Sequence, residues 1–298
     1  MNSSFVSHSQ NGEDIVLWRA LGRIHRGFWI DVGANDPDID SVTRAFSDAG
    51  WTGINVEPLP EVHDLLCERR PNDINLCVAL GDSEGESRYF EVTEANGLST
   101  SDGEAAARYR QAGLDFREFS VSTRTLSSVW DEFVAGDVHF LKIDVEGAEE
   151  LVLQGTDLGR HRPWIVVVES VEPVVLGGAV LEPGARPPAV STHEMWEHLI
   201  VSNGYTLVLF DGLNRFYVAN ERLDELGPWL ASPVNVLDGA ELASSRRERL
   251  GVETRLAVSE TRVRDLEREL EGSRAEIDAV LASKSWRITA PLRAIRRM

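Results

Sequence analysis

The sequence predicts an α/β fold: a doubly wound, mostly parallel sheet followed by a helical, coiled-coil extension. Three observations carry this. Phe28–Val32 is a short apolar run suited to a strand buried on both faces, and it breaks at Gly33, Ala34 and Asn35, small or turn-prone residues that let backbone approach a ligand. A second run, residues 53–57, ends in a carboxylate roughly 20 residues past that glycine turn, the spacing at which an acid meets a ribose hydroxyl in open α/β sheets. Two later apolar runs, residues 138–145 and 164–169, carry Asp144 and Glu169 near their ends. In a parallel sheet Glu57, Asp144 and Glu169 converge on one rim, where ligands bind. Charge pairs serving stability alone would not need that repeated placement.

The elements follow in order. Residues 9–24 have helical spacing, with Ile15, Leu17, Trp18, Leu21 and Ile24 on one side. Gln10, Glu13 and Asp14 sit at its start, where acids complement the helix dipole by about 0.3–1 kcal/mol each. Residues 41–49 read as a helix with Val42, Ala45 and Phe46 inward and Ser41 as its cap. Another helix spans residues 61–69 and is closed by Arg70-Pro71. Residues 75–80 supply a third strand, ending at Gly81 and Asp82, an acid that also suits a turn beside Ser83-Glu84-Gly85. Residues 88–92 alternate like an exposed strand, and the polar stretch 94–113, with Gly97 and Gly103, reads as a mobile segment over the site.

Leu126, Val129, Trp130 and Phe133 give residues 125–134 a helical spacing. Lys142 falls inside the apolar run 138–145 and needs a carboxylate partner or a water path, since an unpaired buried charge is costly. Asp144 and Glu146 sit where this run opens onto the ligand-binding rim, although Glu146 is also placed to cap the helix that carries Leu151, Val152 and Leu153. Residues 174–188 are rich in Gly and Pro, a loop long enough to be functional. Helix 193–202 has Met195, Trp196, Leu199 and Ile200 on its inner face and His193 at its start. Residues 205–210 and 216–219 read as two strands joined by a tight turn. If the first runs parallel to the others, Asp211 and Asn214 share the carboxylate rim.

From about Gly239 the composition changes: Gly and aromatics become scarce while Arg and Glu rise. Leu256, Val263, Leu270 and Ile277 recur at heptad spacing, with Val252, Leu266 and Val280 at the complementary core positions and Ser259 and Ser273 interrupting them. A coiled coil through which the chain forms a homo-oligomer and a single solvated helix both fit. In residues 284–298 every charge is positive and Trp286, Ile288, Leu292 and Ile295 interleave with them, a pattern for anionic lipid or an acidic partner surface. The expected division is therefore residues 1–235, 240–283 and 284–298.

Composition narrows the function classes. The 298 residues hold one sizeable α/β domain plus an extension, and 42% hydrophobic content is ample for a core. A net charge of -19 argues against nucleic acid as a partner, because phosphate affinity is carried by clustered Lys and Arg. Cys67 and Cys77 give neither a disulfide framework nor metal-ligand spacing, so buried reduced thiols are expected. With no signal pattern and no apolar run of spanning length, the expected location is cytoplasmic, the tail offering contact with the inner face of the membrane.

The glycine turn is not a dinucleotide fingerprint: Asn35 and Asp38 stand where GxGxxG needs glycines. An acidic loop suits a positive sulfonium better than a pyrophosphate. SQNGED (residues 9–14), IDVGANDP (30–37), SVTRAF (41–46) and GWTGINVEP (50–58) are followed by LST (98–100), LKIDVEGAEELVLQG (141–155) and DGLNRFYVA (211–219). This ordered set resembles the FkbM family of S-adenosylmethionine-dependent methyltransferases. The resemblance implies a seven-stranded class I methyltransferase sheet, Rossmann-like, whose final antiparallel pair is the hairpin near the end of the domain. It implies S-adenosylmethionine as cofactor, with Gln10 and Glu13 against it, Asp31, Gly33 and Asn35 near the methionine portion, Glu57 on the ribose, and Asp82 near adenine. Asp144 belongs to the same cofactor face. The family pattern also places a histidine where His193 stands. The ending SWRITAPLR resembles the tails of bacterial glycan-assembly proteins, including glycosyltransferases, which implies a sugar or glycan substrate.

Methyl transfer demands alignment, which supplies about 7–11 kcal/mol of a barrier, and a positioned base adds roughly 10²–10⁴-fold. Catalytic candidates are His193, Asp144 and Glu169, with His193 first because its unperturbed pKa lies near working pH. Alternatively, Asp144 and Glu169 hold a divalent cation that binds vicinal hydroxyls. A polyketide-like acceptor, an NAD-dependent oxidoreductase and a non-catalytic adaptor organised by the coiled coil remain open. The oxidoreductase lacks its glycines, and an adaptor gains nothing from clustered anions. A nucleic-acid methyltransferase has the wrong charge and no Asn-Pro-Pro-aromatic or Pro-Cys signature.

Overall fold

In the computed structural model, which describes residues 5–92, 98–172 and 190–288, two compact units divide between Glu241 and Leu242. The first begins with β1 (Val6–Ser7), α1 (Glu13–Leu21), β2 (Phe28–Val32), α2 (Arg44–Asp48), β3 (Thr52–Val56), α3 (Pro60–Arg69) and β4 (Ile74–Leu76). It continues with β5 (Ala79–Leu80), β6 (Gly85–Val92), α4 (Gly103–Gln111), β7 (Phe116–Arg124), α5 (Leu126–Phe133), β8 (Phe140–Ile143), α6 (Glu149–Gln154) and β9 (Ile165–Glu169). After a 3₁₀ turn at His193–Met195 come α7 (Glu197–Val201), β10 (Tyr205–Phe210), β11 (Asn214–Ala219) and α8 (Leu223–Leu230). The short β12 (Glu241–Leu242) precedes α9 (Ala243–Ala282) and α10 (Lys284–Ile288).

Alternation along the central strands decides the layering. Trp29, Phe140, Ile165 and Val167 face one side of the sheet, where Leu17, Leu21, Phe46 and Leu230 of α1, α2 and α8 cover them. Ile30, Leu141, Val166 and Val168 face the other, under Val129, Val152 and Ile200 of α5, α6 and α7. Apolar residues on both faces are what an internal parallel strand requires. The sheet order is β10-β11-β9-β8-β2-β3-β4. Parallel pairing runs from β9 through β8, β2 and β3 to β4. β11 lies antiparallel between β9 and β10, so β10 runs with the parallel set. The strand ends after β2, β3, β8 and β9 therefore open on one rim. Tight packing holds β2 to β3: a Cβ at Gly53 would fall 2.4 Å from Trp29 Nε1, so only glycine lets the indole lie there.

Several elements differ from expectation. α1 starts at Glu13 rather than residue 9, because the Asp14 carboxylate accepts the Ser7 and Ser9 hydroxyls and the His8 amide and holds the preceding chain out of the helix. Glu13 and Asp14 are consequently buried rather than solvated first-turn acids. Ser41 does not cap α2; its hydroxyl accepts a hydrogen bond from buried Arg70 (3.2 Å), which also donates to the Pro37 carbonyl. The expected third strand, 75–80, is two: β4 completes the large sheet, while β5 joins a second sheet of order β5-β7-β6. β6 is buried over its last residues rather than exposed, and the stretch 94–113 contains α4, capped by Asp102. Residues 93–97 of that stretch and the loop 174–188 lie outside the described residues. Met195 is exposed although Trp196 and Ile200 pack inward, because the 3₁₀ turn rotates it off the α7 face. Neither cysteine is buried: Cys67 is exposed and Cys77 half-buried.

The second unit is α9, a helix of 40 residues, with α10 after it. The expected tail, 284–298, is described only as far as Ile288. Among the described residues no helix is long and apolar enough to cross a membrane.

Candidate active site

Asp31 and Lys142 stand opposite each other in register on β2 and β8. Both strands are apolar on both sides of these positions, so the two charges depend on each other, on the Thr43 hydroxyl that donates to Asp31 at 3.3 Å, and on the nearby rim. Lys142 Nζ lies 3.2 Å from Asp31 Oδ1 and 3.3 Å from Asp144 Oδ2, and donates to the Gly33 carbonyl at 3.1 Å. The Gly33 carbonyl takes the hydrogen bond, while the two carboxylates pair with the ammonium by charge, Asp31 Oδ1 receiving no hydrogen bond among the described residues. Burial alone would lower the Lys142 pKa, but Asp31 and Asp144 outweigh it and raise it above the usual lysine value, so the side chain is charged. The expected carboxylate partner for Lys142 is thus two carboxylates.

Gly33 follows with φ +78°, and a Cβ there would lie 1.8 Å from the Asp144 carbonyl oxygen, so the turn admits glycine alone. The Gly33 and Ala34 amides both donate to the Val56 carbonyl, and the Asn35 amide donates to Glu57 Oε2 at 3.0 Å. Glu57 Oε1 accepts the Leu59 amide at 2.8 Å. Glu57 is thereby locked at the tip of β3 beside the turn. A cavity of about 240 Å³ opens here, lined by Glu57, Asp144 and Glu146, by Gly33, Ala34 and Asn35, and by the apolar or aromatic Val78, Leu80 and Tyr89.

Beyond β8, the carboxylates of Asp144, Glu146 and Glu169 bring oxygen atoms within 4.8 Å of one another. Glu146 adopts φ +55° before Gly147 at φ +104°, and its carbonyl accepts the Thr100 hydroxyl at 2.9 Å. It does not cap α6, which has no side-chain cap; Glu149, at the start of the helix, instead accepts the Val145 and Gly147 amides and fixes the turn before it. Among the described residues, Glu146 Oε2 is buried with no hydrogen-bond partner. Burial, followed by the charge of Asp144, lifts the pKa of both Glu146 and Glu169 well above the carboxylate range. Such a cluster can take up a proton more readily than ordinary carboxylates do, accept hydrogen bonds from hydroxyls, or offer oxygen donors to a divalent cation.

A single domain description, methyltransferase FkbM, matches residues 31–207, more than half of the chain. The chain belongs to the FkbM methyltransferase family. No curated protein matches it. The matched span takes in both strand-tip carboxylates of the cavity, Glu57 and Asp144, and the whole three-carboxylate cluster.

In this FkbM methyltransferase the residues singled out from sequence fall into three places. Gln10, Gly33, Asn35, Glu57 and Asp144 line the cavity. Asp31 sits directly behind it and acts on it through Lys142. Glu169 joins through the cluster. Glu13, Asp82 and His193 lie elsewhere among the described contacts. Glu13 accepts the Asn214 amide group at 2.8 Å and the Asn11 backbone amide at 2.9 Å, pinning the start of α1 to β11. Asp82 borders an adjoining cavity and accepts the Ser83 hydroxyl. His193 is bound to the Ser191 hydroxyl at 2.5 Å, and its Nε2 lies 3.9 Å from Glu197. Asn214 pairs in register with Glu169, at the rim as the hairpin reading required. The sequence leaves Glu146 between the ligand face and a helix cap; the structure puts it in the cavity lining, at positive φ before Gly147.

Burial lifts Glu57 and Glu149 each to about 7, against amide hydrogen bonds that pull the other way. A raised carboxylate favours the folded state fully below its unfolded pKa and loses that contribution as pH rises through the folded value. Folding stability should therefore fall between pH 4.5 and 7, by roughly 3 kcal/mol per group at most. Urea midpoints taken across this window should decline with pH, and Glu149→Gln should flatten the slope.

Proposed function

We propose that this protein transfers a methyl group from S-adenosylmethionine to a hydroxyl of a sugar, in a bacterial glycan or glycoconjugate. The observation that carries the reading is the cavity itself, whose lining combines strand-tip carboxylates and a glycine-only turn with the apolar or aromatic Val78, Leu80 and Tyr89. The sheet order agrees with the doubly wound class I arrangement that the family resemblance implies. When bound, S-adenosylmethionine supplies a methyl group on a positively charged sulfur. The anionic lining suits that charge, Glu57 has lone pairs left after its two amide bonds to accept ribose hydroxyls, and Val78, Leu80 and Tyr89 suit a flat ring. The Lys142 network holds Asp144 and the Gly33 carbonyl in place behind them.

For the acceptor, the cluster of Asp144, Glu146 and Glu169 supplies the base. A carboxylate with a raised pKa takes a hydroxyl proton more readily than an ordinary one, so Glu146 on the cavity wall, with Glu169 beside it in the cluster, is favoured over His193, which belongs to neither the cavity lining nor the cluster. The same oxygen atoms favour a second reading, in which a divalent cation sits among the three carboxylates and binds the acceptor. A chelator that stops turnover, with restoration by Mg²⁺, selects the cation; unchanged turnover selects the base.

Glu57→Ala should weaken S-adenosylmethionine binding about 100-fold by calorimetry, the loss of two hydrogen bonds to a charged acceptor. Unaltered affinity would remove the assignment. Labelled methyl transfer to surface polysaccharide, read by mass spectrometry of glycan from cells with and without the protein, distinguishes the sugar acceptor from a polyketide-like small molecule. Binding without transfer to any acceptor would favour the adaptor.

A further inference from the structure

We propose that α9 pairs with α9 of a second copy of this chain as a parallel, in-register, two-stranded coiled coil. Its seam is uncovered within its own unit: Val252, Leu256, Val263, Leu266, Leu270, Ile277 and Val280 are all between 46% and 58% exposed along one stripe. A helix whose apolar residues recur at heptad spacing buries them only against another such stripe.

Charge chooses the occupant and its direction. Taking Leu256, Val263, Leu270 and Ile277 as the a positions, Arg255, Arg262, Glu269 and Glu276 occupy g, and Glu260, Glu267, Arg274 and Leu281 occupy e. In a parallel in-register pair each g residue faces the e residue five further along the other copy. The facing pairs are then Arg255 with Glu260, Arg262 with Glu267, and Glu269 with Arg274, opposite in sign every time, while Glu276 meets the neutral Leu281. The sign at g and the sign at e reverse together midway along the helix, which a merely solvated helix has no reason to do. Sliding one copy by a heptad sets Arg262 against Arg274 or Glu269 against Glu267. A centred antiparallel pair sets Glu267 against its own counterpart.

The two polar core positions point the same way. In the parallel register Ser259 and Ser273 each meet their own copy, so the hydroxyls can bond to one another across the seam. In the centred antiparallel arrangement Ser259 meets Leu270 and Ser273 meets Leu256, leaving buried hydroxyls without partners. The serines weaken the seam but fix its register, as polar core residues do in coiled coils.

The experiment uses the full chain. Light scattering at micromolar concentration should give the mass of a dimer. Arg262→Glu and Glu267→Arg, each placing like charges against each other twice per dimer, should raise the dimer dissociation constant about tenfold. The double variant should restore it, with helix content by circular dichroism unchanged throughout. In a Cys67→Ser background, Ser273→Cys should cross-link to a covalent dimer on oxidation, whereas Thr261→Cys on the outer face should not. A monomer, a double variant as weak as the singles, or failure of Ser273→Cys to cross-link would each overturn the parallel pair.

Discussion

Lys142→Met should destabilise the fold by about 3–5 kcal/mol, a large share of the roughly 5–15 kcal/mol that keeps a domain folded. The side chain fills the space, so the loss is electrostatic. Asp31, 1% exposed, would keep a charge with the Thr43 hydroxyl as its remaining polar contact, and Asp144 and the Gly33 carbonyl would lose their shared donor. Removing both members of the cross-strand pair tests this account. Lys142→Met with Asp31→Asn should recover a large part of the loss, because no uncompensated ion then remains in the sheet. Urea unfolding of the four proteins at pH 7.5 closes the cycle. Additive losses would mean that Lys142 contributes through packing, and the ionic account would fail.

Glu169→Gln should lower kcat about 10²–10⁴-fold while leaving the affinity for S-adenosylmethionine close to that of the parent. The two readouts separate a base from a cofactor ligand. In the parent enzyme the base works deprotonated, so kcat should rise with pH through a pKa well above the usual carboxylate range. The acid limb should vanish in the variant. The same replacement should stabilise the protein at pH values where Glu169 is ionised, since burial first, and then Asp144 and Glu146, oppose the charge it removes. A variant that loses activity and stability together would point to a structural carboxylate.

Much of the sheet was legible in the sequence because its strands are buried on both faces. Such strands must be apolar throughout, and four runs announced themselves: β2 falls where composition put it, and β3, β8 and β9 lie within two residues of their expected bounds. Lys142 was legible for the converse reason. A charge inside an apolar run is too costly to stand alone, so a carboxylate partner was demanded before any contact was known. What failed were short-range readings decided by long-range partners. Ser41 has the makings of a helix cap but serves Arg70, Glu13 has the makings of a dipole complement but serves Asn214, and residues 75–80 split because β7 offers β5 a different sheet.

By itself, then, the sequence determined which strands lie inside, that acids cluster at their tips, and that residues from Gly239 onward form a long helix with an apolar stripe. These follow from period and burial, which are local properties of the chain. The tertiary structure alone decided which acids act together. Asp144, Glu146 and Glu169 come from two strand ends and a positive-φ turn, and only the parallel register of β8 and β9 brings their oxygens within 4.8 Å. Electrostatic energy depends on distance in space and on excluded water, and neither quantity is written in the order of the residues.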